Sequence, residues 1–175
     1  MKTHRVWKFG PNIDTDALAP GHAMKYGIDK IAQHCLESIR AEFAQLVRPG
    51  DVIVAGENFG IGSSREQAAG ALIQLGVAAV IAPSFGGLFF RNAFNLGLLL
   101  ITCEQAHTLE ENEQILIGER ADWVEASNGR RLTCETIPDF LLDMVGKGGL
   151  LPSLRQQLAK NQAAGTKHHS ESRTP

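Results

Sequence analysis

The densest polar group in the chain is Gly56-Glu-Asn-Phe-Gly-Ile-Gly-Ser-Ser-Arg-Glu-Gln-Ala68. Glycines at 56, 60 and 62 let the backbone turn sharply and come close to a ligand. Ser63, Ser64 and Arg65 follow, at an expected helix start. Free backbone N–H groups and the positive end of the helix dipole favour an anion there. Arg65 adds a planar fork suited to a carboxylate. The same spacing has a plainer reading, because Ser63-x-x-Glu66 fits a capping box that satisfies the first orphan amides of a helix. On spacing alone the cap outweighs a nucleophile or base. Familiar phosphate loops are not matched: Gly62 leads to Ser63 without the Walker lysine, and Gly60-x-Gly62 leads to Arg65 where a dinucleotide loop needs glycine. The hydrolase elbow G-x-S-x-G is also absent.

A second group is Asn12-Ile13-Asp14-Thr15-Asp16, whose acids could orient a base or bind a cation. An Asx turn or helix cap is the alternative. A third runs from Pro83-Ser84-Phe85 to Arg91-Asn92 and Asn95, while Phe89, Phe90 and Phe94 read as core. His4, His22, His34 and His107 are scattered, and only His22, just behind Asp16, falls near these groups. Cys35, Cys103 and Cys134 form no C-x-x-C or His/Cys cluster, so no metal or iron–sulfur site of the chain's own is expected.

The elements that must position these residues alternate. HRVWKF (4–9), DVIVAG (51–56), VAAVIAP (77–83) and LGLLLIT (96–102) read as strands, and continuous apolar runs of this kind suit a parallel sheet covered on both faces. Helical spacing runs from Asp29 to Val47, Arg65 to Leu75 and Gly87 to Asn95. ILIG (115–118) and RLTCETI (131–137) look like β-additions, and Pro138 and Pro152 open further helices. The polar group at 56–68 therefore follows a buried strand, at the sheet edge where ligands collect in open α/β folds. The expected architecture is α/β with a mostly parallel sheet and flanking helices. Residues 1–160 form a single domain, and 161–175 form a polar, disordered tail.

The composition narrows the function class. With 175 residues, 43% hydrophobic, the chain suits one globular core. A net charge of -2 argues against a protein built to grip nucleic acid. Sparse, odd-numbered cysteines fit a reducing compartment, the N-terminus lacks the apolar core of a signal peptide, and the apolar runs fall far short of the ~20 residues that span a bilayer. The reading is a soluble cytoplasmic protein.

Four blocks together carry a resemblance. Asn12-Ile-Asp-Thr-Asp16, Gly56-Glu-Asn-Phe-Gly60, Gly62-Ser-Ser-Arg-Glu66 and Arg91-Asn-x-x-Asn-x-Gly97, in this order, resemble the small subunit of 3-isopropylmalate dehydratase, which corresponds to the swivelling C-terminal domain of aconitases. The likeness covers residues 4–150. It implies a swivelling β/β/α domain and a separate large subunit carrying a [4Fe–4S] cluster, with no cofactor bound by this chain. The reaction implied is reversible dehydration of a 2-hydroxy di- or tricarboxylic acid. It further implies that Ser63 is the base taking the carbon-bound proton, that Gly62, Ser64 and Arg65 bind a substrate carboxylate, and that Thr15 and Asp16 orient polar groups beside them. In that context Ser63 is expected both to close the helix and to face the substrate.

The chain departs from the pattern at Ile61 and Gln67, where the family usually has Cys and His. It also departs in Pro20-Gly21-His22-Ala23-Met24-Lys25-Tyr26, where family variation selects the substrate side chain. His22, Met24 and Lys25 are accordingly candidate substrate-binding residues, and isopropylmalate, dimethylmalate, citramalate and homoaconitate-type acids all stay open. The competing expectation is a stand-alone binding module for small carboxylates, using the same loop without chemistry.

Overall fold

A computed structural model describes residues 2–168, with side chains through residue 162. Four parallel strands form one half of a single sheet: β1 (Thr3–Lys8), β2 (Val52–Val54), β3 (Ala79–Ala82) and β4 (Leu99–Thr102). β2 and β3 are buried at every position, which is why both read as unbroken apolar runs. The β-additions are β5 (Gln114–Ile117), β6 (Trp123–Glu125) and β7 (Arg131–Thr133), each antiparallel to its neighbour. The strand order is β4-β3-β2-β1-β5-β6-β7, so the sheet is parallel on one side of β1 and antiparallel on the other. β4 and β7 are its two ends, yet the Glu135 N–H donates to the Thr102 carbonyl at 2.9 Å. The sheet therefore curls until its edges touch, which removes bare edge groups there.

Helices cover the parallel half. α1 (Thr15–Leu18), α2 (Ile28–Gln33) and α3 (Phe43–Leu46) precede β2. α4 (Gln67–Gln74) packs against α1, α2 and α5 (Gly87–Leu96). The apolar spacing at 29–47 predicted one helix, but the chain breaks after Gln33. Leu36 takes φ +60° and donates its N–H to Ala17 at 2.7 Å. Ile31, Ala32, Cys35, Leu36 and Phe43 are buried all the same, because successive tight turns bring them to the same core as a continuous helix would.

α6 (Asp139–Gly146) starts behind Pro138. In α7 (Leu150–His168) Pro152 lies in the first turn, where its missing N–H costs no helical bond. α7 continues through 161–168, the first part of the segment expected as a disordered tail, and residues 169–175 lie outside the described residues. None of the described helices is long and apolar enough to cross a membrane.

Candidate active site

β1 and β2 do not stop pairing where their regular ladder ends. Phe9 donates to Val54 at 2.8 Å, Asn12 to Glu57 at 2.8 Å, Gly60 to Ile13 at 2.6 Å and Thr15 to Ile61 at 2.9 Å. These bonds zip the loop after β1 to the loop after β2, ending in a parallel bridge between Asp14 and Ile61. The loop after β3 joins through a second bridge, Phe59 to Phe85, and through the Asn58 N–H donating to Ser84 Oγ at 2.9 Å. The three polar groups thus share one rim at the C-terminal ends of the parallel strands, the expected place for a ligand.

Two glycines make this approach possible. Gly60 has φ +78°, and a Cβ there would sit 2.2 Å from Cγ of Phe89, the buried side chain that also packs edge-on against Phe59. Gly62 has φ +116°, and a Cβ there would lie 2.8 Å from Thr15 Oγ1. Gly62→Ala is therefore expected to displace the Thr15 side chain and strain the backbone. Activity of the reconstituted enzyme should fall at least about tenfold, and strain of roughly 1–3 kcal/mol should lower the melting temperature by several degrees, both checked by parallel kinetics and thermal unfolding.

The centre of the rim is a pair of hydroxyls. Thr15 is buried, with 2% of its surface exposed, and its Oγ1 accepts the Ser63 N–H at 3.0 Å. The same Oγ1 lies 3.1 Å from Ser63 Oγ, and either hydroxyl can donate. Because Thr15 Oγ1 already accepts from the amide, its own hydrogen is available to point at Ser63 Oγ. Ser63 and Ser64 are exposed, and Asn92 Nδ2 donates to the Ser64 carbonyl at 2.9 Å.

Arg65 donates from Nη1 to Asp16 Oδ1 at 2.5 Å and to the Ala19 carbonyl at 2.9 Å. Its side chain is three-quarters buried, whereas that of Asp16 is 71% exposed. Asp16 therefore holds the guanidinium in place, while Asp14 is the cap of α1, accepting from the Ala17 N–H at 2.8 Å. The paired acids of the sequence split into one cap and one clamp.

The capping box does not form. α4 begins at Gln67 behind Glu66, with no side-chain cap, and the Ser63 amide is bonded to Thr15. The expectation that Ser63 closes the helix is corrected. Gly62 turns the chain so that Ser63 belongs to the zipped loops, a turn before the helix. Ile61 and Gln67 flank the loop, both half-buried.

The residues following Asp16 divide. His22 and Asp16 line a cleft of about 470 Å³ that also includes Asn12, Pro20 and Glu37. Met24 and Lys25 do not line it. Met24 is half-buried against the core, and Lys25 Nζ lies 5.2 Å from the Tyr26 ring centroid. Arg91 is exposed and Asn95 half-buried, so of the third group Ser84 and Asn92 reach the rim.

Three features escaped the sequence reading. Thr15 and Ser63 are separated by 48 positions, and nothing in either loop alone announces their contact. His22 and His34 were read as scattered, but their ring centroids are 4.9 Å apart and Glu37 accepts from both, Oε1 at 3.1 Å and Oε2 at 2.6 Å. Asp51, opening the β2 run, is a buried carboxylate. An acid leading an apolar strand, opposite Arg5 and Trp7, was the available signal.

Cys35, Cys103 and Cys134 are all buried, and burial pushes the Cys35 thiol far up, away from the thiolate a ligand must be. Cys103 Sγ donates to the Thr133 carbonyl and Cys134 Sγ to the Leu132 carbonyl, each at 3.8 Å, and the three cysteines form no common group of ligand atoms among the described residues.

Residues 22–106 match the aconitase C-terminal domain family. The chain is 41% identical to 3-isopropylmalate dehydratase small subunit 1 of Archaeoglobus fulgidus, over 87% of this chain and 98% of that protein. It is 42% identical to a methanogen homoaconitase small subunit of Methanothermobacter thermautotrophicus, over 84% of this chain and 86% of that protein. The crystal structure of a 3-isopropylmalate dehydratase from Methanocaldococcus jannaschii superposes with a TM-score of 0.87 at 36% identity, covering 93% of this chain and 98% of that one. A fold curled in the same way, over nearly the whole length of both chains, makes this protein a member of the aconitase-type small subunits of the isopropylmalate dehydratase and homoaconitase family.

Proposed function

We propose that this chain is the base-bearing half of a hydro-lyase, acting on a 2-hydroxy di- or tricarboxylic acid together with a large subunit that holds a [4Fe–4S] cluster. The observation that carries the reading is the solvent-facing Ser63 hydroxyl, held 3.1 Å from the buried Thr15 hydroxyl. A serine is a weak base in water. Here Thr15 donates toward its oxygen and stabilises the alkoxide that must take the proton from substrate carbon. Arg65, steadied by Asp16 and the Ala19 carbonyl, presents the rest of its fork to a substrate carboxylate, and Gly62 and Ser64 let the ligand approach the backbone.

The rim is open to solvent in the lone chain. The partner is therefore expected to close over residues 57–67, excluding water and strengthening each of these contacts. The test is anaerobic reconstitution with the cognate large subunit and assay on a panel of C4 to C7 hydroxy acids. Arg65→Ala should raise KM and lower kcat/KM about a hundredfold for every acid accepted. Survival of activity with a loss below about tenfold would refute the clamp.

The substrate side chain is assigned to the strap at 20–26. Relatives of similar identity are named for isopropylmalate, citramalate and homoaconitase chemistry, so the acid is read from the strap and not from overall likeness. Lys25 is exposed and, among the described residues, engages only the Tyr26 ring, which leaves it available to an extra carboxylate when the partner closes. Lys25→Ala is expected to cut kcat/KM about tenfold for a tricarboxylate and to leave dicarboxylates within about twofold. Equal effects on both classes would remove Lys25 from substrate selection.

A further inference from the structure

The strap that follows Asp16 carries a cluster no step of the proposed reaction uses. His22 lies in a short 3-10 turn (Gly21–Ala23), His34 caps the C-terminus of α2, and Glu37 follows one turn later. Leu36, at φ +60°, reverses the chain between them and is pinned by its bond to the Ala17 carbonyl, so Glu37 is carried back over both rings. The two imidazoles meet edge-to-face at 80°, and each aims a nitrogen at a different oxygen of the same carboxylate.

We infer that His22, His34 and Glu37 form a binding site for a divalent transition-metal ion of the zinc class. Two neutral imidazoles and one carboxylate are a ligand set that suits zinc, and harder ions such as magnesium prefer oxygen alone. One ligand atom from each residue lies within 4.8 Å of the other two. A tetrahedral ion with bonds near 2.0–2.1 Å needs its ligand atoms about 3.4 Å apart. The difference is closed by rotating side chains, and His22, 59% exposed, is free to turn. It is the sole such group among the described residues.

His22 and Glu37 also line the 470 Å³ cleft that includes Asp14 and Asp16. A bound ion would clamp the turn at 21–23 onto the end of α2 and so brace the strap bearing Met24 and Lys25. The site lies beside the Ser63 rim and is independent of the iron–sulfur partner, so its test does not depend on the hydro-lyase reading.

The experiment titrates the full chain with Zn²⁺ by calorimetry and with Co²⁺ by visible absorption, and follows thermal unfolding with and without Zn²⁺. One ion per chain is expected, with a dissociation constant of about 10 µM or tighter, cobalt bands of four- or five-coordinate geometry, and a raised melting temperature. His22→Ala and Glu37→Gln should each weaken binding at least about tenfold and abolish the thermal shift. Both replacements are at partly exposed side chains, and each variant's metal-free melting curve reports whether it folds. The double replacement His168→Ala and His169→Ala should leave the affinity unchanged. Absence of saturable binding below about 100 µM would overturn the inference, as would binding that follows the C-terminal histidines and ignores His22, or that persists in both cluster variants.

Discussion

Replacing Ser63 with alanine should lower kcat of the reconstituted enzyme by at least about a hundredfold and leave KM within about threefold. Ser63 Oγ is the acceptor proposed for the carbon-bound proton, and among the described residues no other hydroxyl is held against Thr15. The side chain is exposed in the lone chain, so its removal leaves no cavity, and Thr15 Oγ1, though it loses Ser63 Oγ, still accepts the Ser63 amide. The melting temperature should stay within about two degrees of the parent, which separates lost chemistry from lost folding. Thr15→Val supplies the graded companion. It keeps the volume of the buried side chain but removes the hydrogen bond to Ser63 Oγ and the acceptor of the Ser63 amide, and should cost about tenfold or more in kcat. The pair should be non-additive, because once Ser63 Oγ is gone Thr15 has nothing left to stabilise. A Ser63→Ala enzyme retaining more than about a tenth of parental kcat would show that the base lies elsewhere.

Asp51→Ala should be the most damaging change for stability. The carboxylate is 5% exposed and receives Arg5 Nη2 at 2.5 Å, Trp7 Nε1 at 2.9 Å and the Arg48 amide at 2.9 Å. Truncation strands an arginine, an indole N–H and a backbone amide. Since the Arg5 side chain keeps some contact with water, the cost is about 2–4 kcal/mol, lowering the melting temperature by roughly 5–12 °C. Burial by itself would raise the Asp51 pKa. The hydrogen bonds from Arg5, Arg48 and Trp7 outweigh it and hold the carboxyl below its ordinary value.

The sign of the pH dependence follows. A depressed carboxylate pKa contributes stability that is complete above the unfolded value, near pH 4, and that disappears as the pH falls through the lower folded value. The difference in melting temperature between parent and Asp51→Ala should therefore be full at pH 7 and shrink below about pH 4. Thermal unfolding at a series of pH values reads this directly, and a difference that widens on acidification would contradict it. The carboxylate sits at the start of β2, whereas the Ser63 loop follows its end, so kcat measured well below melting should be unaffected.

Much of this arrangement was legible without coordinates. Apolar runs at 51–56, 77–83 and 96–102 must be buried on both faces, which dictates a covered parallel sheet and places the glycine-rich block at its edge. The block's residue types state what it can do: glycines to admit a ligand, hydroxyls to hold a proton, an arginine to grip a carboxylate. Local patterning also put Pro138 and Pro152 at helix starts. Where local and long-range demands competed, local reading failed. The 29–47 segment satisfies helical spacing, yet Leu36 leaves the helix because Ala17 offers its amide a better-placed partner. Ser63-x-x-Glu66 satisfies the capping pattern, yet Thr15 takes the amide first.

What the sequence by itself determined is therefore the chemistry available and the sheet edge that displays it, since both follow from residue type and from periodicities that act over a few positions. Only the tertiary structure decided which side chains meet. The contacts of Thr15 with Ser63, Asp16 with Arg65, and Arg5 with Asp51 join loops and strands more than forty positions apart. Such contacts are chosen by strand register and by competition for each donor, and that competition is settled only when the whole core closes.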